Sequence, residues 1–267
     1  MAKSQQILKA ELLAFGHELA DAAGHAILPH FRRRLTVDNK AKDGGYDPVT
    51  AADRAAERAV RKLVRARYPE HGFEGEEYGS QGHDAPWRWI VDPIDGTRAF
   101  VLGMPTWGTL IGLYHDGVPT LGLMDQPFTR ERYWSTGRGA AFRGADGRQL
   151  RPKTRACATL AEAMMMTTHP ELFAAGAESR GFLRVKAAVR ACRYGGDCYS
   201  YCLLAAGHVD VIVESGLKPY DVAALIPIIE QAGGRISTWD GGSPAGGGRI
   251  LACGDPRLHD TVLALLV

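Results

Sequence analysis

Near the middle of the chain, an apolar run is stopped by two acids set around a proline: Trp87-Arg88-Trp89-Ile90-Val91-Asp92-Pro93-Ile94-Asp95-Gly96-Thr97. Residues 87–91 have the aromatic and β-branched character of a strand. Pro93 cannot donate to a sheet ladder, and Gly96 can take backbone angles closed to other residues. The chain is therefore expected to turn there and to aim Asp92 and Asp95 at one point. Two carboxylates that close repel each other. Unless a cation lies between them, one must take up a proton, at a cost that grows as water is excluded. Hard oxygen ligands of this kind favour Mg²⁺, which binds through a few carboxylates, keeps several waters and takes up phosphate.

An Asp-x-x-Asp pair alone often does no more than cap a helix or decorate a turn. Two further acids sit at similar punctuation points: Gly75-Glu76-Glu77 follows Phe73, and Asp221 follows Lys218-Pro219-Tyr220 and opens an apolar stretch. Taken singly, Glu76 reads as a solvated surface residue and Asp221 as a helix-start carboxylate interacting with the dipole. Taken with Asp92 and Asp95, they read as parts of one site.

The remaining patterning supplies a scaffold. Leu8, Leu12, Phe15, Leu19, Ala22 and Ala26 recur at helical spacing, which predicts a helix over 4–29. Residues 36–48 are polar, contain glycines and lack periodicity, so they are expected to form a loop with the composition of a flap. Thr50 opens a second helix with a Thr-x-x-Asp capping box, and Pro69 ends it. Strands are predicted over 87–91, 106–114, 118–124 and 132–135, as an antiparallel meander. Beyond residue 150 strands and helices alternate: strand 163–168, helix 197–207, strand 209–214, helix 221–232, strands 234–238 and 249–253, helix 256–266. Residues 1–150 thus read as an N-terminal α+β half with the antiparallel sheet and the acidic motifs. Residues 151–267 read as a C-terminal α/β half, with one catalytic site between the two.

Composition narrows the function. With 267 residues, 45% of them hydrophobic, the chain can bury a sizeable core. The 32 Lys+Arg against 30 Asp+Glu leave a net charge of +2, which offers no field for nucleic acid. The longest apolar run, Ala223 to Ile229, falls far short of a membrane span, and the opening MAKSQQILKAELL carries charges where a signal peptide needs apolar residues. The expectation is a cytoplasmic protein with no membrane or nucleic-acid partner. The five cysteines form no CxxC pair; Cys198 and Cys202 read as buried free thiols, and Met164-Met165-Met166 as core filling.

Four segments, Asp92-Pro-Ile-Asp-Gly-Thr97, Gly75-Glu-Glu77, Asp47-Pro-Val-Thr-x-x-Asp53 and Tyr220-Asp-Val-Ala223, resemble in order and spacing the inositol monophosphatase family. The resemblance implies an α/β (α+β) layered α-β-α-β-α sandwich of the inositol monophosphatase/fructose-bisphosphatase type. It also implies a homodimer and a Mg²⁺-dependent phosphomonoesterase, with two or three ions per site, acting on a small-molecule phosphate ester. Carried over residue by residue, Glu76, Asp92 and the Ile94 carbonyl look like ligands of one Mg²⁺, and Asp92, Asp95 and Asp221 like ligands of another. Asp53 and Thr97, with Glu76, would form the catalytic set that orients the attacking water, and Gly96 and Thr97 would bind phosphate. Lys42, in the flap, resembles a family lysine near the metal loop, although Lys40 lies close by.

Departures from the inositol pattern point to a branch. Tyr220 stands in Leu217-Lys-Pro-Tyr-Asp221 where Trp is common, Arg98-Ala-Phe100 follows Thr97, and Asp197 replaces a small neutral residue in Gly195-Gly-Asp-Cys-Tyr199. With Thr167-Thr-His-Pro170, these variants look like the histidinol-phosphate phosphatases of histidine biosynthesis. Histidinol phosphate carries an ammonium and an imidazole, and Asp197 and Glu214 in the outer pocket are both acidic, so the substrate-binding set is expected to be Asp197, Glu214 and Tyr220. Asp197 also suits a helix N-cap, and Glu214 a sugar hydroxyl. The alternatives are an inositol-1-monophosphatase or other sugar-alcohol phosphatase, and a non-catalytic regulatory or binding protein that reuses the fold.

Overall fold

A computed structural model of the chain describes residues 2–34, 36–40 and 48–267. Helices Ala2–Ile27 and Ala51–Arg67 pack against each other and against one face of an eight-stranded sheet. Leu12, Phe15, Leu19, Ala56 and Val60 of the helices meet Trp89, Val91, Ile111 and Leu113 of the sheet. Of the stripe read from spacing in the first helix, Leu12, Phe15 and Leu19 are buried and Leu8 is exposed, and toward the C-terminal end Ala20, Ala23 and Ile27 are buried more fully than Ala22 and Ala26. Across the sheet the strands run Gln149–Leu150, Ala140–Arg143, Glu131–Ser135, Val118–Gln126, Gly108–His115, Trp87–Asp95, Gly72–Gly75 and Gly79–Gln81. From Trp87 onward this is the expected antiparallel meander; Gly72–Gly75 joins it parallel to Trp87–Asp95.

The opposite face of this sheet packs on helices Asp197–Ala205 and Leu225–Ala232, through Leu110, Met124, Tyr201, Cys202, Ile228 and Ile229. Those helices also cover a five-stranded mixed sheet, in the order Ala191–Tyr194, Met164–Thr167, Val211–Leu217, Gly248–Cys253, Arg235–Thr238. Helices Ala177–Ala188 and Pro256–Leu266 close its far side around Met165, Phe182, Val213, Leu251 and Val262. The result is the α-β-α-β-α sandwich that the family resemblance implied. No helix among the described residues is long and apolar enough to cross a membrane, and the five cysteines are free thiols.

Three local expectations change. The strand expected to stop at Val91 continues through both acids to Asp95, because one extra residue enters between the Asp92–Leu110 and Asp95–Gly108 pairs. Pro93 is tolerated at this bulge, where no ladder donor is needed, and its carbonyl accepts from Thr109 Oγ1 at 2.8 Å. The helix expected over 221–232 is two, Pro219–Val222 and Leu225–Ala232. Pro227 has no N–H to give to the Ala223 carbonyl, so one of the bonds that a continuous helix would need at the join is missing. In the segment expected to be a loop, Val37–Asn39 pairs antiparallel with Pro48–Thr50.

A buried ion pair within the sheet reaches the first helix through the exposed Asp21. Arg132 donates to Asp125 Oδ1 at 2.7 Å through Nε and to Asp21 Oδ1 at 2.7 Å through a terminal nitrogen, and both Arg132 and Asp125 are buried. Replacing Arg132 with Met leaves the Asp125 carboxylate uncompensated. A loss of about 3–5 kcal/mol is expected, read as a lower urea midpoint at unchanged m-value; a loss within 0.5 kcal/mol, the ordinary surface range, would show that the pair adds nothing to the fold.

Candidate active site

A cleft of about 510 Å³ opens where the ends of the two sheets meet. Glu76, Asp92, Asp95, Thr97 and Asp221 line one side, and Thr168, His169, Asp197 and Glu214 the other. Carboxylate oxygens of Asp92, Asp95 and Asp221 lie within 4.8 Å of one another. They come from two elements: Asp92 and Asp95 from the bulged strand Trp87–Asp95, on either side of the bulge, and Asp221 from the short helix Pro219–Val222.

Each acid is steadied by a backbone amide. Asp92 Oδ1 accepts from Ile94 N at 3.0 Å, Asp95 Oδ2 from Cys198 N at 2.7 Å, and Asp221 Oδ2 from Lys218 N at 2.7 Å. Asp95 thereby caps a helix from outside it, reaching the start of Asp197–Ala205 from the far wall. Burial, reinforced by neighbouring acids, pushes the Asp92 and Asp95 carboxyls well up; burial and Glu76 take Asp221 to about 7. The donor set is all oxygen and negatively charged, which is what a hard divalent cation requires.

Glu76 sits on the turn after strand Gly72–Gly75 and accepts from Lys40 Nζ at 2.7 Å, while Glu77 accepts from the same ammonium at 2.9 Å. Burial lowers the Lys40 pKa, but the two glutamates outweigh it and hold the lysine above its ordinary range. Lys42 and Asp47, both anticipated near this loop, lie outside the described residues.

Asp53 is fully buried at the start of its helix, and Oδ2 accepts from Thr50 N at 2.8 Å and Thr50 Oγ1 at 2.6 Å, completing the anticipated capping box. Its other oxygen faces Thr97, whose hydroxyl is 3.4 Å from Asp53 Oδ1 and 3.0 Å from the Ile94 carbonyl. With one proton to give, the hydroxyl favours the shorter contact. Burial raises the Asp53 pKa. Gly96, at φ +85°, makes the turn between Asp95 and Thr97.

On the second wall, Asp197 is not the N-cap: that position is Gly196. The Asp197 side chain faces Gly96 and accepts from Thr106 Oγ1 at 3.1 Å. Glu214 Oε1 accepts from Thr168 N at 2.8 Å and from Thr168 Oγ1 at 2.6 Å, and burial lifts this carboxyl to about 7. Tyr220 does not line the cleft; its ring packs on Ile90, Tyr114 and Ala223.

Three residues at or behind the cleft were given no role from the sequence, two of them, Arg98 and His169, although they lie in the branch-marking segments. Arg98 and His169 meet at the cleft, 3.1 Å apart. Glu57 is buried behind the Glu76 turn and accepts from the amides of Glu77 and Tyr78. A signal for it existed: Asp53, Glu57 and Arg61 recur every fourth residue among the alanines and valines of the buried stripe, where charge is costly.

The sequence model of the inositol monophosphatase family matches residues 8–267. A chloroplastic bifunctional phosphatase of Arabidopsis thaliana is 41% identical over 265 residues, covering 95% of this chain and 74% of that protein. The histidinol-phosphatase of Mycobacterium tuberculosis is 38% identical over 234 residues, 87% of this chain and 88% of that one. The solved structure of an inositol monophosphatase from Zymomonas mobilis superposes with a TM-score of 0.85 at 40% identity, covering 96% of this chain and 98% of that one. Fold and acid cluster together are those of a metal-dependent phosphomonoesterase. The chain belongs to the inositol monophosphatase family.

The raised carboxyls give a test with a definite sign. An acid titrating near 3.9 when unfolded and near 7 when folded, as Asp221 does, binds more proton in the folded state. Its contribution to stability is present below about pH 4 and is lost as pH rises through about 7. With chelator present, the urea midpoint of the wild type should therefore fall between pH 5 and pH 8 more steeply than that of Asp95→Asn, which removes one of the repelling charges. Parallel slopes would mean that crowding of the acids is not the origin.

Proposed function

We propose that this protein is a Mg²⁺-dependent histidinol-phosphate phosphatase, converting L-histidinol phosphate and water to L-histidinol and phosphate. One observation carries the substrate choice: Asp197 and Glu214, both acidic and largely enclosed, stand across the same cleft from the acid cluster. Arg98 is the one lysine or arginine among the described residues lining that cleft. Such a wall favours a leaving alcohol that carries positive charge. The resemblance to the family adds a homodimeric, cytoplasmic enzyme.

Glu76, Asp92, the Ile94 carbonyl, Asp95 and Asp221 would hold the Mg²⁺ ions. When bound, such ions neutralise phosphoryl oxygens and make water a stronger acid. The chain's own part is orientation and proton handling. Turned from the Ile94 carbonyl to Asp53 Oδ1, 3.4 Å away, the Thr97 hydroxyl would donate to Asp53 and accept from a water in the cleft, and Asp53, raised by burial and anchored by Thr50, suits the role of final proton acceptor. The phosphate would lie at the Gly96–Thr97 turn, between the acid cluster and Arg98. Asp197 lies against Gly96 on the far side, within reach of the alcohol portion of the same molecule.

Phosphate release from histidinol phosphate and myo-inositol 1-phosphate, measured side by side with Mg²⁺, tests this reading. A higher kcat/KM on histidinol phosphate is expected, and preference for the inositol ester would reject the assignment. Asp95→Asn should abolish release from both substrates with an unchanged circular dichroism spectrum. Asp197→Asn, which removes one charge-assisted contact, should lower kcat/KM for histidinol phosphate by about 10–100-fold, with a much smaller effect on the inositol ester.

A further inference from the structure

The Glu76 turn is attached to the fold from both sides. On one side, Glu76 N donates to the Val91 carbonyl at 3.3 Å, immediately before Asp92 in the bulged strand. On the other, the buried Glu57 carboxylate accepts from Glu77 N at 2.7 Å through Oε2 and from Tyr78 N at 3.2 Å through Oε1. Glu57 is held in turn: an Arg61 terminal nitrogen donates to Glu57 Oε1 at 2.6 Å and to the Gly79 carbonyl at 2.8 Å, and the guanidinium lies 4.4 Å from the centre of the Phe73 ring. Room for the carboxylate exists because residue 75 has no side chain; a Cβ on Gly75 would come within 2.2 Å of Glu57 Oε1.

This arrangement is costly as a device for stability alone. It takes a carboxylate and a guanidinium out of water, and Arg61 Nε is buried without a hydrogen-bond partner. What it achieves is placement: a rigid acceptor behind two successive amides fixes the backbone on which Glu76 rides. We propose that Glu57 is a positioning residue for the cation site, which, clamped by Arg61, sets the Glu76–Tyr78 turn so that the Glu76 carboxylate meets Asp92 in the cleft. It touches neither substrate nor cation and acts through Glu76. This rests on the reading above that Glu76 and Asp92 hold Mg²⁺.

Calorimetric titration of Mg²⁺ into the intact protein separates the two ideas. Glu57→Gln keeps size and one acceptor oxygen but turns an NH₂ toward the amides or Arg61. It should weaken Mg²⁺ binding by about 10–100-fold, as loss of an outer partner of a ligand does, with the Mg²⁺ concentration for half-maximal activity rising in parallel and kcat recovering at saturating Mg²⁺. Asp92→Asn, which removes a ligand directly, is the control. If Asp92→Asn binds Mg²⁺ like the wild type, the cation reading itself fails. If Asp92→Asn loses affinity while folded Glu57→Gln keeps that of the wild type, Glu57 is merely structural and the inference is overturned. Should Glu57→Gln not fold, Arg61→Lys carries the decision: lysine keeps a cation beside Glu57 but cannot hold it and the Gly79 carbonyl together. Weaker Mg²⁺ binding is then expected, and unchanged affinity rejects the clamp.

Discussion

Carboxylates gathered where water is scarce set the terms for this structure. Asp92, Asp95 and Asp221 share one small volume, with Glu76 at its edge. Bringing them together opposes folding at neutral pH, since each charge raises the proton affinity of the others and burial raises it further. A divalent cation changes the sign of that balance, because the charges that repel one another all attract it. The same feature that makes the metal-free cleft unfavourable makes it a strong site for a hard ion.

The fold tolerates the crowding by holding the acids with backbone amides. Asp53, Glu57, Asp92, Asp95 and Asp221 each accept from main-chain N–H groups, and those amides lie at helix starts, at the bulge and in the turn after strand Gly72–Gly75. Such donors favour the ionised form without adding a cation that would compete for the site. They also fix direction, since an oxygen bonded to a rigid backbone leaves its partner oxygen aimed into the cleft. Two of the glutamates also have cation partners, Glu76 the Lys40 ammonium that it shares with Glu77 and Glu57 the Arg61 guanidinium.

What could be read from the sequence follows the range of the interaction involved. The middle of the first helix stripe, the meander and the capping box at Thr50 are local, set by spacing and by one or two residues, and appear where the pattern put them, while the ends of that stripe, at Leu8, Ala22 and Ala26, do not. The acid cluster was legible because most of its members are punctuation: Asp95 ends a strand, Glu76 follows one and Asp221 lies in the first turn of a helix, while Asp92 stands beside a proline within the strand. The extension of the strand through Pro93 was not legible, because a bulge depends on what the neighbouring strand at Leu110 and Gly108 can pair with. Glu57 was missed for a similar reason. Its partners are twenty residues away, at the amides of Glu77 and Tyr78, and charge on a buried stripe becomes meaningful only once those amides are in place. For Tyr220, adjacency to Asp221 suggested the cleft, but successive residues on a helical turn point different ways, and the partly buried ring packs on Ile90, Tyr114 and Ala223.

Asp95 ties the two walls of the cleft together. Asp95 caps the helix at Asp197–Ala205 through Cys198 N, and Asp197 is the neighbouring residue, at φ +43°, with its side chain turned back toward Gly96. Asp197 is therefore attached to the same amide group that orients an acid of the cluster, and its charge in turn raises the Asp95 pKa. A small neutral residue at 197 would relieve that repulsion and leave Asp95 better able to stay ionised without a cation. On the proposed function, an acid at 197 would make the cluster more demanding of positive charge from both its ion and its substrate. In a cleft built this way, selectivity for a cationic alcohol and affinity for the metal are expected to be coupled through one hydrogen bond.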